Sequence, residues 1–277
     1  LYTLIMSDSY PDAQEKRLIF TDLDGTLLDH YNYSFEAALP MLDYLKQKKL
    51  PVIIVSSKTR PEIIKLQKAL DINEPFIVEN GAGIFIPPHS SLSGDDTQCW
   101  QRIELGKEYR DMRTFFTSVQ EAFSIRGFGD MTADEVIRLT GLSETNAKMA
   151  MQRDFTEPFI SSDEQRIPEL KALANQYGLD IVKGGRFYHL ITLGQDKANA
   201  VDRLCRLYSL QYGGHPKTIA LGDSENDFTM LDYADQPILI PKGDGTYADI
   251  ALPSLIKAHY PGPKGWNQAL SEYLHVS

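Results

Sequence analysis

The sequence predicts an α/β fold: a parallel sheet with helices on its faces, interrupted by an inserted α+β module. Three observations carry this. Over the first third, short apolar runs alternate with helix-patterned segments, the rhythm of consecutive βαβ units. The same rhythm returns beyond Lys197. Between the two stretches, apolar runs flank the pair Gly184-Gly185, which reads as a hairpin and hence an antiparallel sheet.

The elements follow in order. Arg17 to Thr21 is a strand. Residues 35–48 form a helix, with Ala38, Leu42 and Leu45 at three- and four-residue steps and Ser34 as a cap. Residues 51–56, rich in Val and Ile, are the second strand. Pro61 opens a helix reaching Leu70, and Phe76 to Val78 is the third strand. The Pro-, Ser-, Gly- and Asp-rich stretch 87–96 marks a boundary. Helices are expected at 107–124, at 133–139 behind a Thr132/Glu135 capping box, at 144–153, and at 164–177 with Gly178 as its stop. Strands at 180–183 and 186–192 complete the module. Then come a helix at 198–212, a strand at 218–221, a helix at 227–233, a strand at 237–240 and a helix at 265–274. The chain therefore divides into a disordered leader (1–16), a first core segment (17–86), an inserted module (87–193) and a second core segment (194–277).

Composition narrows the function. The 277 residues carry 28 Lys and Arg against 38 Asp and Glu, a net charge of −10. That balance, without a basic cluster, argues against a nucleic-acid partner. No apolar stretch approaches the ~18 residues of a membrane span. Cys99 and Cys205 stand far apart with no metal-binding spacing, as expected of free thiols in a reducing cytoplasm. The sequence is silent on oligomeric state.

Chemistry collects at the strand ends. The run Leu18-Ile19-Phe20 empties into Asp22-Leu23-Asp24-Gly25. Acids ending a buried strand are costly unless solvated, paired or on a metal, and open α/β sheets bind ligands at the carboxyl ends of their strands. The second strand ends in Ser56-Ser57-Lys58-Thr59. The strand ending at Leu221 runs into Gly222-Asp223-Ser224-Glu225-Asn226-Asp227, and Lys197 opens the preceding helix. Two or three carboxylates suit Mg2+. A carboxylate can also act as a nucleophile, and a second one two residues on as general acid and base. Hydroxyl and ammonium donors would hold a phosphoryl group. Taken singly, Ser57 also reads as a strand-end cap, Lys197 as a solvated lysine, and Asp223 and Asn226 as helix-start residues.

The set Asp22-Leu23-Asp24-Gly25-Thr26, Ser57, Lys197 and Gly222-Asp223 with Asn226-Asp227 resembles the four motifs of the haloacid dehalogenase (HAD) phosphatase superfamily. The insertion resembles the α+β cap of its Cof-like (type IIB) branch on a Rossmann-like core. Ser56-Ser57-Lys58-Thr59-Arg60, Glu79-Asn80-Gly81 and Gly184-Gly185-Arg186-Phe187-Tyr188-His189 resemble the mannosyl-3-phosphoglycerate phosphatase family. The resemblance implies Asp22 as nucleophile and Asp24 as acid and base. It implies Ser57 and Lys197 on the phosphoryl group, and Mg2+ on the Asp22 side chain, the Asp24 carbonyl and Asp223. Asp227 is either a further metal-shell carboxylate or an orienter of Lys197. A phosphosugar substrate would meet Lys58, Thr59, Arg60, Asn80, Gly184, Gly185, Arg186, His189 and Asn226, with Arg186 suited to a glycerate carboxylate. His189 also reads as a structural histidine, and the Gly pair as hairpin turn alone. A broader sugar-phosphate phosphatase or a phosphomannomutase-like transferase fits the same motifs.

Overall fold

The computed structural model describes residues 16–93, 98–184 and 186–276. The leader expected at 1–16 lies outside the described residues except for Lys16, whose carbonyl already accepts the Lys217 amide at 2.8 Å.

The large sheet is built from β1 (Arg17–Thr21), β2 (Val52–Val55), β3 (Phe76–Val78), β4 (Gly83–Ile86), β5 (Gln101–Glu104), β10 (Lys217–Gly222), β11 (Gln236–Leu239) and β12 (Ile256–Lys257), in the spatial order β12-β11-β10-β1-β2-β3-β4-β5. From β12 to β3 all pairings are parallel, and β4 and β5 are antiparallel. The helices α1 (Leu39–Gln47), α2 (Arg60–Leu70), α7 (Lys197–Tyr212), α8 (Phe228–Tyr233) and α9 (Gly262–Tyr273) cover it. The strands β2, β3, β4 and β11 are buried on both faces and almost wholly apolar, whereas the edge strand β5 is polar and largely exposed. Leu18 and Phe20 pack with Val201, Leu204 and Met230 on one face, whereas Ile19 packs with Met41, Leu45 and Trp266 on the other.

The smaller sheet has the order β6-β7-β9-β8, from β6 (Ile125–Gly127), β7 (Glu157–Ser161), β8 (Leu179–Gly184) and β9 (Phe187–Thr192), all antiparallel. Helices α3 (Tyr109–Val119) and α6 (Ile167–Gln176) pack on one face through Phe116, Leu170 and Ala174 against Phe159, Ile181 and Leu190. Helices α4 (Ala133–Thr140) and α5 (Glu144–Ala150) complete this part, α4 beginning at the expected Thr132/Glu135 capping box. The two-residue side-chain period of a strand turns Val182, His189 and Ile191 to the opposite face.

Several expectations are corrected. The stretch 87–193 is not wholly a separate module, because β5 is the edge strand of the large sheet. Helix α1 starts at Leu39, where Pro40 supplies a helical φ; residues 36–38 form a single 3-10 turn, and the Ser34 hydroxyl accepts its Glu36 amide. Strand β7 is not marked in the sequence, because Pro158 breaks its strand pattern. Its partner β6 stops opposite Phe159, so the missing Pro158 N–H breaks no pairing on that side.

Candidate active site

Strands β1 and β10 lie side by side, with Thr21 opposite Leu221. Chain connections diverge at this point of the sheet, which is where doubly wound folds leave a crevice. Asp22 and Asp223 each emerge from one of these strand ends. The Asp22 amide donates to the Leu221 carbonyl at 3.0 Å. Its own carbonyl accepts the Thr21 hydroxyl at 2.7 Å, and that hydroxyl takes the Trp266 indole N–H at 3.0 Å. The nucleophile candidate thus stands on a backbone fixed from both sides.

Lys197, at the start of α7, is buried and joins the strand ends. Its Nζ donates to Asp22 Oδ1 at 2.7 Å, Asp227 Oδ1 at 2.6 Å and the Val55 carbonyl at 3.0 Å. Asp227 Oδ2 accepts the backbone amides of Asp223 and Ser224 at 3.0 and 3.1 Å. Both Asp227 oxygens are therefore engaged. Burial opposes the Lys197 charge, but Asp22 and Asp227 outweigh it and push the pKa up. Asp22 is pushed up by burial and by the charge of Asp227, against the pull of Lys197. Asp223 is pushed up to about 6, again by burial first and Asp227 second.

The carboxylates of Asp22, Asp223 and Asp227 converge within 4.8 Å of one another. Three buried carboxyl groups there face a single ammonium, that of Lys197. Asp223 Oδ1 and Asp24 Oδ1 are buried without a hydrogen-bond partner. Uncompensated buried oxygens of this kind fit a hard divalent cation. Gly25 makes room for the arrangement: its φ is +81°, and a Cβ there would lie 2.5 Å from Asp223 Oδ2.

Around this centre the expected residues divide. Ser57, Asn80, Gly184, His189, Lys197 and Asn226 line one cavity of about 570 Å³ between the end of the large sheet and the open face of the small one. Asn226 donates to Asn80 Oδ1 at 3.3 Å across its floor. Burial and Arg153 push His189 down to about 4, leaving a neutral imidazole. Lys58 lies apart from this cavity, its Nζ 2.8 Å from Asp24 Oδ2 and 5.4 Å from the centre of the Tyr33 ring.

Three further expected substrate contacts do not reach the cavity. Thr59 is buried as the cap of α2, its hydroxyl 2.7 Å from a Glu62 carboxylate oxygen and 3.0 Å from the Met149 carbonyl, the two acceptors for its one proton. Arg60 is exposed, pairs with Asp154 at 3.1 Å and covers Phe85. Arg186 is exposed and donates to the Thr140 carbonyl at 3.3 Å. Gly185 lies outside the described residues.

Two residues without a role in the sequence motifs complete the surroundings of the site. Glu79, buried at a φ of +51°, accepts the Asp154 and Thr156 amides at 2.8 Å and the Thr156 hydroxyl at 2.6 Å. Arg153 lies 3.2 Å from it through Nε, and its Nη2 reaches the Ser57 carbonyl at 3.5 Å. This pair ties the chain entering β7 to the loop that carries Ser57. The acid before Asn80-Gly81, closing a strand, was the available signal for Glu79; nothing in the sequence marked Arg153.

The strand-end carboxylates, the buried lysine and the divided architecture define a hydrolase class. Residues 19–251 match the family of haloacid dehalogenase-like hydrolases, and the chain belongs to that family. It is 49% identical over 263 residues to a glucosyl-3-phosphoglycerate/mannosyl-3-phosphoglycerate phosphatase of Persephonella marina, covering 93% of this chain and 97% of that protein. It is 41% identical over 267 residues to a protein of the same description from Methanococcoides burtonii, covering 94% and 97%. A solved HAD phosphatase, BT1666 of Bacteroides thetaiotaomicron, shares the fold with a TM-score of 0.65 at 15% identity, covering 98% of this chain and all of that one. Among the described residues no helix is long and apolar enough to cross a membrane.

Proposed function

We propose that this protein is a Mg2+-dependent phosphatase that removes the phosphate of glucosyl- or mannosyl-3-phosphoglycerate, leaving the glycosylglycerate. The observation that carries the chemistry is the buried Asp22 carboxylate, held 2.7 Å from Lys197 Nζ at the end of β1. The two relatives that match nearly the whole chain support the substrate.

Asp22 attacks phosphorus as the bond to the glycerate oxygen breaks, forming an aspartyl-phosphate. Asp24 gives a proton to the departing oxygen. It then takes one from the water that attacks phosphorus, which frees Asp22 and inorganic phosphate. Lys197 holds Asp22 in line and meets the phosphoryl oxygens, and the Ser57 hydroxyl faces the same group. Asp22, Asp223 and the Asp24 carbonyl would hold Mg2+, which when bound offsets repulsion between carboxylate and phosphate dianion. With both oxygens engaged, Asp227 serves as the orienter of Lys197. Asn80, Asn226, His189 and the backbone at Gly184 offer hydrogen bonds to sugar and glycerate hydroxyls. We place the activity in the cytoplasm, where the free thiols Cys99 and Cys205 persist.

The test is phosphate release across a panel with Mg2+ present. Glucosyl- and mannosyl-3-phosphoglycerate should exceed hexose phosphates in kcat/KM. Equal rates across the panel would leave a broad sugar-phosphate phosphatase. Activation by a sugar bisphosphate without phosphate release would indicate a mutase.

A further inference from the structure

The Asp24 carboxylate is approachable from one side only. Its Oδ1 is buried without a partner, and its Oδ2 is held by Lys58 Nζ at 2.8 Å. A leaving oxygen that takes a proton from Asp24 must come to Oδ2, and so comes within a few ångströms of the Lys58 ammonium. Lys58 is pinned there: Glu62 and Asp24 both face it, and the Tyr33 ring lies against it. It also lines a second cavity of about 240 Å³ with Leu28, Tyr33, Phe35 and Met149.

We infer that Lys58 is the residue that reads the carboxylate of the leaving group, exchanging its bond to Asp24 Oδ2 for one to the glycerate carboxylate as substrate binds. This rests on the proposed substrate. In a 3-phosphoglycerate ester the carboxylate carbon is two bonds beyond the carbon bearing the departing oxygen. A group that contacts that oxygen through Asp24 is therefore in reach of the carboxylate. Arg186, the cation with the better fork for a carboxylate, is turned away onto the Thr140 carbonyl, and Lys197 is committed to Asp22 and Asp227. The exchange costs little, since one carboxylate partner replaces another, and it clears Oδ2 for the departing oxygen. A neutral leaving group gives Lys58 no second partner, so Oδ2 stays covered. Specificity then arises at the acid/base itself as well as in the sugar pocket.

The experiment compares two substrates that differ only in this group: glucosyl-3-phosphoglycerate, and the analogue with a hydroxymethyl in place of the carboxylate. Wild-type enzyme should prefer the acid by about 10- to 100-fold in kcat/KM, the worth of a charge-assisted hydrogen bond. In Lys58→Met that ratio should fall towards one, with KM for the acid rising, and Lys58→Arg should restore most of it. Circular dichroism and thermal melting confirm that each variant folds. A wild-type enzyme without preference for the acid overturns the proposed substrate. A wild-type preference that survives intact in Lys58→Met overturns the role of Lys58 and leaves the substrate standing.

Discussion

Asp227 Oδ1 lies 2.6 Å from Lys197 Nζ, with both side chains fully buried. The contact ends a chain of dependence: backbone amides of residues 223 and 224 hold Asp227 Oδ2, Asp227 aims Lys197, and Lys197 aims Asp22. Removing one member of a buried ion cluster leaves its partner unpaired, at a cost of about 3–5 kcal/mol. Asp227→Asn should lose stability on that scale in urea denaturation, and kcat should drop at least as far as for Ser57→Ala. The Mg2+ concentration giving half-maximal activity should change little. A large rise in that concentration would make Asp227 a metal ligand instead.

Gly25 predicts a steric effect on metal binding. Gly25→Ala places a methyl 2.5 Å from Asp223 Oδ2, in a left-handed backbone that costs an alanine about 1–2 kcal/mol. The variant should fold, melt a few degrees lower and bind Mg2+ at least tenfold more weakly. Isothermal titration with Mg2+ measures this directly.

Asp223 sets a pH dependence of the metal-free protein. Its pKa is raised from the ordinary 3.8 to about 6, so the folded state holds the proton more tightly than the unfolded chain. This contribution to stability is complete below pH 3.8 and is lost as pH rises through about 6. Mg2+ favours the ionised form, so its stabilisation grows over the same window. Thermal melts with chelator and with Mg2+ should separate as pH rises, and Asp223→Asn should narrow the gap.

The Glu79 carboxylate collects two amides and a hydroxyl, with the Arg153 guanidinium beside it. Glu79→Gln keeps the shape but cannot accept from all of them. It should destabilise by about 1–3 kcal/mol. Because Arg153 also touches the Ser57 carbonyl, kcat should fall as well, whereas Arg60→Ala should leave both close to wild type. Denaturation and steady-state kinetics on the two variants make the comparison.

The candidate catalytic centre was more legible in the sequence than the candidate substrate pocket, for a physical reason. Asp22, Ser57, Lys197 and Asp223 occupy ends of strands and helices, whose positions follow from apolar patterning. Parallel pairing of β1, β2 and β10 then brings them together. Pocket residues depend on side-chain direction. Arg60 and Arg186 share sequence neighbourhoods with Ser57 and His189, yet one is drawn to Asp154 and the other to a carbonyl of α4. Thr59 reads as a ligand in a motif, but its spacing to Glu62 equally encodes a helix cap, and the cap prevails. Strand β4 is hidden in the sequence because the Asn-Gly turn before it sits inside a motif string, although Glu79, Asn80 and Gly81 all have positive φ and reverse the chain into an antiparallel partner.

The central claim is that Asp22 itself receives the phosphoryl group. Acid quench during turnover of glucosyl- or mannosyl-3-phosphoglycerate, followed by peptide mass spectrometry, tests it most directly. In Asp24→Asn, which cannot activate water, the phosphoryl mass should accumulate on the peptide carrying Asp22 and should be absent in Asp22→Asn. Phosphoryl on another residue, or sustained phosphate release by Asp22→Asn at the wild-type rate, would contradict it.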